Sequence, residues 1–253
     1  MGIVIYALRV NLDAATLPLL TLNDGNSIPA IGLGTFGMRG DDGVAAVAAG
    51  IRGGNHLLDT AHKYENEPEV REGVRTCGFA RDESSVTTKL RGRHHGHDET
   101  FVGFGEYLGN LGFDYVDLFI IQWPLPSVDR LVDSWRVMIE MHPHFSQVAM
   151  RTLHDRLGIV TESWGPLATQ KSLITNPVVT AIAGANHESP TRVVLRWHVQ
   201  LGFVPIPKSA DPHRQRENLE VFDFELSADD MAAISALESG RLWGGDPKTH
   251  KEF

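Results

Sequence analysis

Three side chains suited to proton transfer stand at the ends of short apolar runs. Asp59 follows Leu57 and Leu58, Tyr64 comes in the loop after it, and the β-type run SVTTK ends in Lys89. In α/β folds the carboxyl ends of parallel strands meet at the edge that carries the active site. We therefore expect the carboxylate, the phenol and the ammonium to meet there.

The chemistry of this trio is specific. A tyrosine in solution has a pKa near 10 and is a poor acid at neutral pH. The ammonium of Lys89 is predicted to lower the pKa of Tyr64, and the carboxylate of Asp59 would fix that ammonium in place. Such a phenol can give a proton to a developing alkoxide. The alternative is a core tyrosine beside a surface salt bridge, but lysine in an apolar strand is rarely buried unpaired.

Several motifs together carry a resemblance to a known family. They are GLGTF, LLDTAHKYENEPEV, VTTKL, LGFDYVDLFIIQWPLP and IPKSADPHRQRENLEVFDFELSADDM. They resemble the aldo-keto reductases, and among these the bacterial branch of the 2,5-diketo-D-gluconate reductases. The resemblance runs from Thr21 onwards, apart from one gap. It implies an α/β fold of the (β/α)8 TIM-barrel type. It also implies an enzyme that reduces carbonyls with NADPH. Tyr64 would be the proton donor, with Lys89 and Asp59 as its supporting pair.

The substrate side shows one departure from the family pattern. Gln122 stands where the family has a histidine that orients the carbonyl oxygen. A glutamine amide can donate a hydrogen bond but cannot ionise. Gln122 could therefore polarise the carbonyl but could not relay a proton. The resemblance also places Phe36 and Trp123 in the pocket wall and Trp243 at the tip of a tail that closes over the substrate. Trp123 could equally be a core tryptophan.

A larger departure is a gap of about one strand–helix unit relative to the family's barrel, between Trp135 and His142. Only Ile139 to Met141 could supply a strand there. The family's Ser-Asn and Gln side chains that hold the nicotinamide carboxamide have no counterpart. A barrel that lacks a unit must close again, leave an edge open or pair with another chain. The parallel strands expected are a stub at Ile139–Met141 and six clear strands, Ile31–Phe36, Leu57–Thr60, Val86–Lys89, Val116–Trp123, Ile159–Trp164 and Val204–Lys208.

Cofactor features remain on the far side of the gap. The resemblance implies that Trp164 stacks on the nicotinamide, where a core tryptophan is the alternative. Lys208, Ser209 and Arg214 would hold the 2′-phosphate at the last loop and helix N-terminus, which favours NADPH over NADH. The other cofactor contacts implied are Pro166, Leu167, Glu217 and Asn218, the last two facing the adenine.

A dinucleotide-binding loop is a competing interpretation of Gly32, Gly34 and Gly37, which spell G-x-G-x-x-G. That motif requires its third glycine inside an opening helix. Here the helical apolar spacing begins only after Asp41 and Asp42, which are predicted to be the N-cap. The spacing therefore disfavours a Rossmann loop.

Two polar clusters have ordinary interpretations. His94, His95 and His97 could suggest a metal, but they lie in no pre-shaped strand or helix site. We predict a solvated loop and no metal. Arg192 and Arg196 are predicted to form the solvated side of an amphipathic helix.

Composition limits the remaining function classes. The chain has 253 residues, 42% of them hydrophobic, and a net charge of −9, which argues against nucleic acid and anionic membranes as partners. The lone Cys77 excludes an internal disulfide and fits a cytoplasmic protein. No signal peptide is recognised, and no apolar run is long enough to span a bilayer.

The domain organisation expected is a loose extension over residues 1–17 and a single barrel domain over 18–253. We expect a monomer that acts on a small-molecule carbonyl and self-associates if the barrel is open. Two rivals stay open: a catalytically impaired NADP-binding relic of the family, and a fragment completed by a partner.

Overall fold

The structure is a computed structural model that describes residues 17–22, 25–122, 138–157, 160–168, 172–240 and 242. Residues 1–16 of the predicted extension lie outside these ranges. So do Trp123, Trp135 and Trp243.

Short strands alternate with helices along the described ranges. The strands are β1 (Leu19–Thr21), β2 (Ser27–Pro29), β3 (Leu33–Gly34), β4 (Leu57–Asp59), β5 (Ser85–Leu90), β6 (Leu118–Ile121), β7 (Met138–Glu140), β8 (Glu162–Trp164) and β9 (Val204–Ile206). The α-helices are α1 (Gly40–Arg52), α2 (Glu67–Thr76), α3 (His97–Leu111), α4 (Val148–Leu157), α5 (Pro177–Asn186), α6 (Pro190–Gln200), α7 (Pro212–Leu219) and α8 (Ala228–Ser235). None of these helices has the length and apolar character needed to cross a membrane.

Seven parallel strands form one continuous sheet. Strands β3 to β6 pair in chain order, and β7, β8 and β9 pair in a second group. A parallel bridge between Gly34 and Lys208 joins the groups. Next to it, the backbone N–H of Gly32 donates to Pro205 O at 3.1 Å, and that of Gly34 donates to Pro207 O at 3.2 Å. The strand order is therefore β6-β5-β4-β3-β9-β8-β7.

This arrangement confirms the α/β fold of TIM-barrel type, and the described residues contain the seven parallel strands expected from the sequence. The stub is a true strand that begins at Met138 rather than Ile139, and it pairs in parallel with β8, Met138 opposite Glu162 and Glu140 opposite Trp164. Over the ranges that the structure describes, no pairing joins β6 to β7. The predicted gap, between Trp135 and His142, is next to β7 in the chain.

Gly32 and Gly34 of the G-x-G-x-x-G motif serve strand packing. A Cβ on Gly32 would lie 2.8 Å from Ile206 Cδ1 and 2.9 Å from the Leu57 side chain. A Cβ on Gly34 would lie 3.3 Å from Ile206 O. Close approach of β3 to β9 therefore requires small residues here, and the Rossmann interpretation is wrong.

The first helix begins earlier than predicted. Its N-cap is Arg39, and Asp41 and Asp42 lie in the first turn instead of capping it. Carboxylates in a first turn still interact favourably with the helix dipole. The two aspartates therefore still favour the start of the helix, but from its first turn and not from the N-cap position.

Strands β1 and β2 form an antiparallel hairpin, which the Asp24-Gly25 dipeptide between two apolar stretches predicts. Its Leu22 and Ile28 are buried in one cluster with Leu57, Leu118 and Val204. Those three residues open strands β4, β6 and β9. The hairpin therefore packs at the amino-terminal end of the sheet and leaves the carboxyl end to the site.

Helix α6 is anchored more deeply than its sequence suggests. Arg192, predicted to be solvated, is half-buried, forms an ion pair with Glu188 and donates to Asp223 at 2.5 Å. On the opposite face, the fully buried His198 donates from Nε2 to Pro166 O at 3.1 Å. This bond fixes the loop that follows β8, where cofactor contacts are expected.

Two glycines of α3 should respond in opposite ways to alanine. A Cβ on Gly103 would lie 2.6 Å from Cγ of His94, whereas a Cβ on Gly105 meets open space. We expect Gly103→Ala to lower the free energy of unfolding by about 1–3 kcal/mol through overpacking. Gly105→Ala should raise it by roughly 0.5–1 kcal/mol. Denaturant unfolding checks both, and equal effects would contradict this packing.

The burial of His198 should make stability pH-dependent. Burial lowers the pKa of His198 from 6.5 to about 3. Below pH 6.5 the unfolded chain binds a proton that the folded chain refuses, so the free energy of unfolding falls as pH falls, by up to about 1.4 kcal/mol per pH unit. Denaturant titrations between pH 7 and 4.5 should show a shallower slope for His198→Leu. An unchanged slope would contradict the buried neutral ring.

Candidate active site

The predicted trio meets at the carboxyl end of β4 and β5. Lys89 Nζ donates to Asp59 Oδ1 at 2.6 Å and Oδ2 at 2.8 Å, to Thr60 O at 2.7 Å and to Tyr64 OH at 3.2 Å. Lys89 is 2% exposed and Asp59 3%. Strand β4 pairs with β5 in parallel. The 3-10 turn His62–Tyr64, which follows β4, brings the phenol back to the ammonium.

The hydrogen-bond polarity at Tyr64 matters for its chemistry. An ammonium has three donors and no acceptor. The phenol oxygen must therefore accept from Lys89, and its own O–H points to another partner. The contact thus leaves the Tyr64 proton available for transfer.

The direction of the Tyr64 shift corrects the sequence analysis. Burial raises the pKa of Tyr64 above 10.0, and this effect outweighs the Lys89 charge, which lowers it as predicted. The carboxylates of Asp59 and Glu162 raise it further. Burial opposes the charge on Lys89, yet Asp59 and Tyr64 together raise the pKa of that ammonium. Burial also raises the pKa of Asp59, against the pull of Lys89.

Phe36 lies at the mouth of the site, beside the phenol. Its ring meets that of Tyr64 edge-on, with centroids 5.1 Å apart and planes at 77°, and it is 64% exposed. The loop that carries Phe36 is held by the buried Asn66, whose Nδ2 donates to Thr35 O at 2.7 Å and Met38 O at 3.0 Å. Sequence reasoning missed Asn66. The sequence pattern that could have indicated it is a polar residue directly before a helix.

Gln122 extends the sheet one residue past β6, where its N–H donates to Leu90 O at 3.0 Å. Side chains alternate along a strand, so Gln122 shares the interior face of Leu118 and Ile120. Its Oε1 is buried and accepts no hydrogen bond from any described residue. The structure thus places this amide at the same sheet end as Lys89.

The histidine loop is not solvated, contrary to the prediction. His95 is 4% exposed, and His94 Nδ1 lies 2.6 Å from Tyr107 OH. The buried Tyr107 side chain on α3 gives this loop a rigid wall to pack against. In the part of the chain that the structure describes, no group of three or more His, Cys, Asp or Glu could hold a metal ion.

Lys208, Ser209 and Arg214 lie at the end of β9 and the start of α7. Lys208 and Arg214 are exposed and Ser209 is buried. The N-terminal amides of α7 are already used, because Asp211 Oδ1 accepts from His213 N at 2.8 Å and from Arg214 N at 3.3 Å. These two bonds lower the pKa of Asp211. A phosphate here would rely on side-chain donors rather than on the helix end.

The other predicted cofactor residues lie on the same side of the fold. Trp164 ends β8 opposite Ile206 of β9, so both face the sheet interior. The rest follow β8 or lie on α7: Pro166 and Leu167 are buried, Glu217 is half-buried and Asn218 is buried.

Gln215 was missed by the sequence analysis and braces the phosphate-side loop. It is 1% exposed, and its Nε2 donates to Ser209 O at 2.8 Å and to Ala46 O at 3.0 Å. This amide ties the turn after β9 to α1. Its only signal in the sequence was its place four residues after the Asp211 cap.

Known proteins resemble this chain over nearly its whole length. The sequence model of the Aldo/keto reductase family matches residues 30–157 and 140–239. The 2,5-diketo-D-gluconic acid reductase B of Corynebacterium sp. (strain SHS752001) is 46% identical over 274 aligned positions, 94% of this chain and 99% of the relative.

Solved structures agree with the sequence comparison. An aldo/keto reductase from Brucella melitensis superposes with a TM-score of 0.82 at 35% identity, over 88% of this chain and 98% of that one. A variant of Gox0644 in complex with NADPH gives a TM-score of 0.86 at 32% identity, over 93% and 99%.

The comparisons also show that a relative has residues that this chain lacks. The alignment with the Corynebacterium reductase has 274 positions, whereas this chain has 253 residues, so the relative has residues without a counterpart here. The family model matches in two pieces that overlap over residues 140–157. On these matches, the chain belongs to the aldo/keto reductase family.

Proposed function

We propose that the protein reduces an aldehyde or ketone to the alcohol with NADPH, and that Tyr64 gives the proton. The observation that carries the proposal is the 3.2 Å contact in which the buried Lys89 donates to the Tyr64 oxygen. When bound, the reduced nicotinamide would supply the hydride to the carbonyl carbon.

The proton step is favourable despite the raised pKa of Tyr64. An alkoxide is far more basic than a phenolate, since its conjugate acid has a pKa near that of water, about 15.7. Tyr64 therefore loses its proton downhill. The phenolate that remains is stabilised by the Lys89 ammonium at its oxygen, and the buried setting strengthens that interaction.

The cofactor side supports an adenosine 2′-phosphate. Lys208 and Arg214 present exposed cations on either side of Ser209, and guanidinium groups bind phosphate bidentately. The carboxylate of Asp211 occupies the nearby helix end. We infer that Lys208, Ser209 and Arg214 hold the phosphate through their side chains. Trp164, Pro166, Leu167, Glu217 and Asn218 would line the nicotinamide and adenine ends.

The substrate is inferred only as a small-molecule carbonyl. The Corynebacterium relative is a diketogluconic acid reductase by name, which makes polyhydroxylated keto acids reasonable first substrates. Phe36 supplies an apolar wall next to the phenol, and Gln122 supplies an amide that could donate to the carbonyl oxygen. Trp123 and Trp243 complete this pocket in the proposal.

One observation favours a second candidate, an NADP-binding relic with impaired catalysis. The family's Ser-Asn and Gln contacts to the carboxamide have no counterpart in this chain. A nicotinamide held at one face alone would sample unproductive orientations, and misplacement of 1 Å can cost about 100-fold in rate. Tight NADPH binding without turnover would identify this candidate.

Removing the phenol should abolish the proton step. We expect Tyr64→Phe to lower kcat for NADPH-dependent reduction of an aromatic aldehyde by roughly 10²–10⁴-fold, the usual worth of a positioned acid. Absorbance at the reduced-nicotinamide band measures it. Tyr115→Phe makes the same chemical change just before β6, at the other sheet end, and should keep wild-type turnover. Equal rates for Tyr64→Phe and wild type would reject the proposal.

Removing the two exposed cations should change cofactor preference. Each charge-assisted hydrogen bond is worth about 1.5–3 kcal/mol, so Lys208→Ala and Arg214→Ala should each weaken NADPH binding by about tenfold or more. NADH lacks the 2′-phosphate and serves as the control, with its affinity unchanged. Quenching of tryptophan fluorescence reports both affinities. An equal loss for NADH would show that these residues do not hold the phosphate.

A further inference from the structure

The turn that carries Tyr64 is short and weakly held by its own bonds. Within it, Tyr64 N donates to Ala61 O at 2.9 Å and Glu65 N donates to His62 O at 3.1 Å. Glu65 then adopts a left-handed φ of 52°. Such a three-residue 3-10 turn needs support from elsewhere in the fold to keep one geometry.

Apart from the hydrogen bond from Lys89, the contacts on the phenol side of this turn give little support. Phe36 is mostly exposed. Arg39 donates to Tyr64 O at 2.9 Å and pairs with Glu65 at 3.2 Å, but this pair is solvent-exposed. Exposed ion pairs contribute about 0–1 kcal/mol. The turn must therefore be fixed from its other side.

We propose that His62 is the positioning residue of Tyr64, and that it fastens the catalytic turn to α2 and α3. This inference rests on the proposed function. The His62 ring stacks on the buried Tyr107, with centroids 4.6 Å apart and planes at 25°. Its Nδ1 lies 3.0 Å from Glu67 Oε2 and its Nε2 lies 3.2 Å from Glu106 Oε1. The His62 side chain thus contacts α2 and α3, through the face of its ring and through both ring nitrogens.

Glu67 connects the same anchor to the strand that carries Lys89. Thr88 donates from Oγ1 to Glu67 Oε1 at 3.1 Å. The other oxygen of Glu67 receives Asn110 Nδ2 at 3.1 Å besides its contact with His62. Glu67 and Thr88 are almost fully buried. The turn of Tyr64 and the residue next to Lys89 are therefore tied to one carboxylate.

This linkage explains how His62 acts without touching the reacting atoms. The distance between Tyr64 OH and Lys89 Nζ depends on the relative position of the turn and β5, and Glu67 is bonded to both. His62 is the member of the linkage that belongs to the turn itself. Its loss would let the phenol drift from the ammonium while β4, β5 and the cofactor residues stay in place.

A double-mutant cycle separates positioning from general damage. We expect His62→Phe, which keeps the stacking ring and loses the polar contacts of both ring nitrogens, to lower kcat by about 10–100-fold, as for misplaced catalytic groups. The NADPH Kd should not change. His62→Gln, whose amide can still donate to Glu67, should recover part of the rate. In a Tyr64→Phe background, His62→Phe should cost nothing more, because its effect passes through the phenol.

The matched control is His56→Phe, which removes a ring nitrogen 2.8 Å from Glu83 O just before β4, at the opposite end of that strand. It should keep wild-type kcat. The inference is overturned if His62→Phe lowers the residual rate of Tyr64→Phe as much as that of wild type. It is also overturned if His56→Phe matches the loss.

Amide hydrogen exchange gives a readout that needs no turnover. The Tyr64 and Glu65 amides should exchange at least tenfold faster in His62→Phe than in wild type or His56→Phe. If the wild type binds NADPH and turns over no carbonyl, the proposed function fails, and exchange still decides the positioning role. Unchanged exchange at these two amides would overturn it.

Discussion

The buried ion pair between Lys89 and Asp59 is the constraint on which the site depends. Breaking a buried pair by removing one partner typically costs about 3–5 kcal/mol. The fold must therefore deliver both residues to one place, which the parallel pairing of β4 with β5 does. Both carboxylate oxygens, Thr60 O and Tyr64 OH lie within hydrogen-bond distance of the ammonium. These four acceptors share three N–H donors, so the phenol shares the ammonium with the carboxylate and the backbone carbonyl.

The sequence predicts those parts of the fold that follow from strand ends and local signals. Asp59, Tyr64 and Lys89 could be brought together because carboxyl ends of parallel strands share an edge. The hairpin β1–β2 and the strand at Met138 were also predictable from turn residues and from the required alternation of strands with helices.

Other features depend on packing and were beyond local patterns. The net direction of the shift in the Tyr64 pKa depends on how far the fold buries the phenol away from water. The burial of His95 and of Arg192 likewise follows from neighbouring elements distant in the sequence. The anchoring of the turn by His62 could not be predicted, because Glu106 and Tyr107 lie far along the chain on α3. Local spacing carries no information about such contacts.

The ends of the sheet order bear on the proposed chemistry. In the described ranges the sheet order ends at β6 on one side and β7 on the other, and the predicted gap between Trp135 and His142 is next to β7 in the chain. Asp59 and Lys89 lie on β4 and β5, and Lys208 follows β9, so the strands that carry them are paired on both sides. Gln122 follows the outer strand β6. A loss at that margin would act first on the proposed carbonyl polarisation and nicotinamide orientation, and would leave the strands of Asp59 and Lys89 paired on both sides.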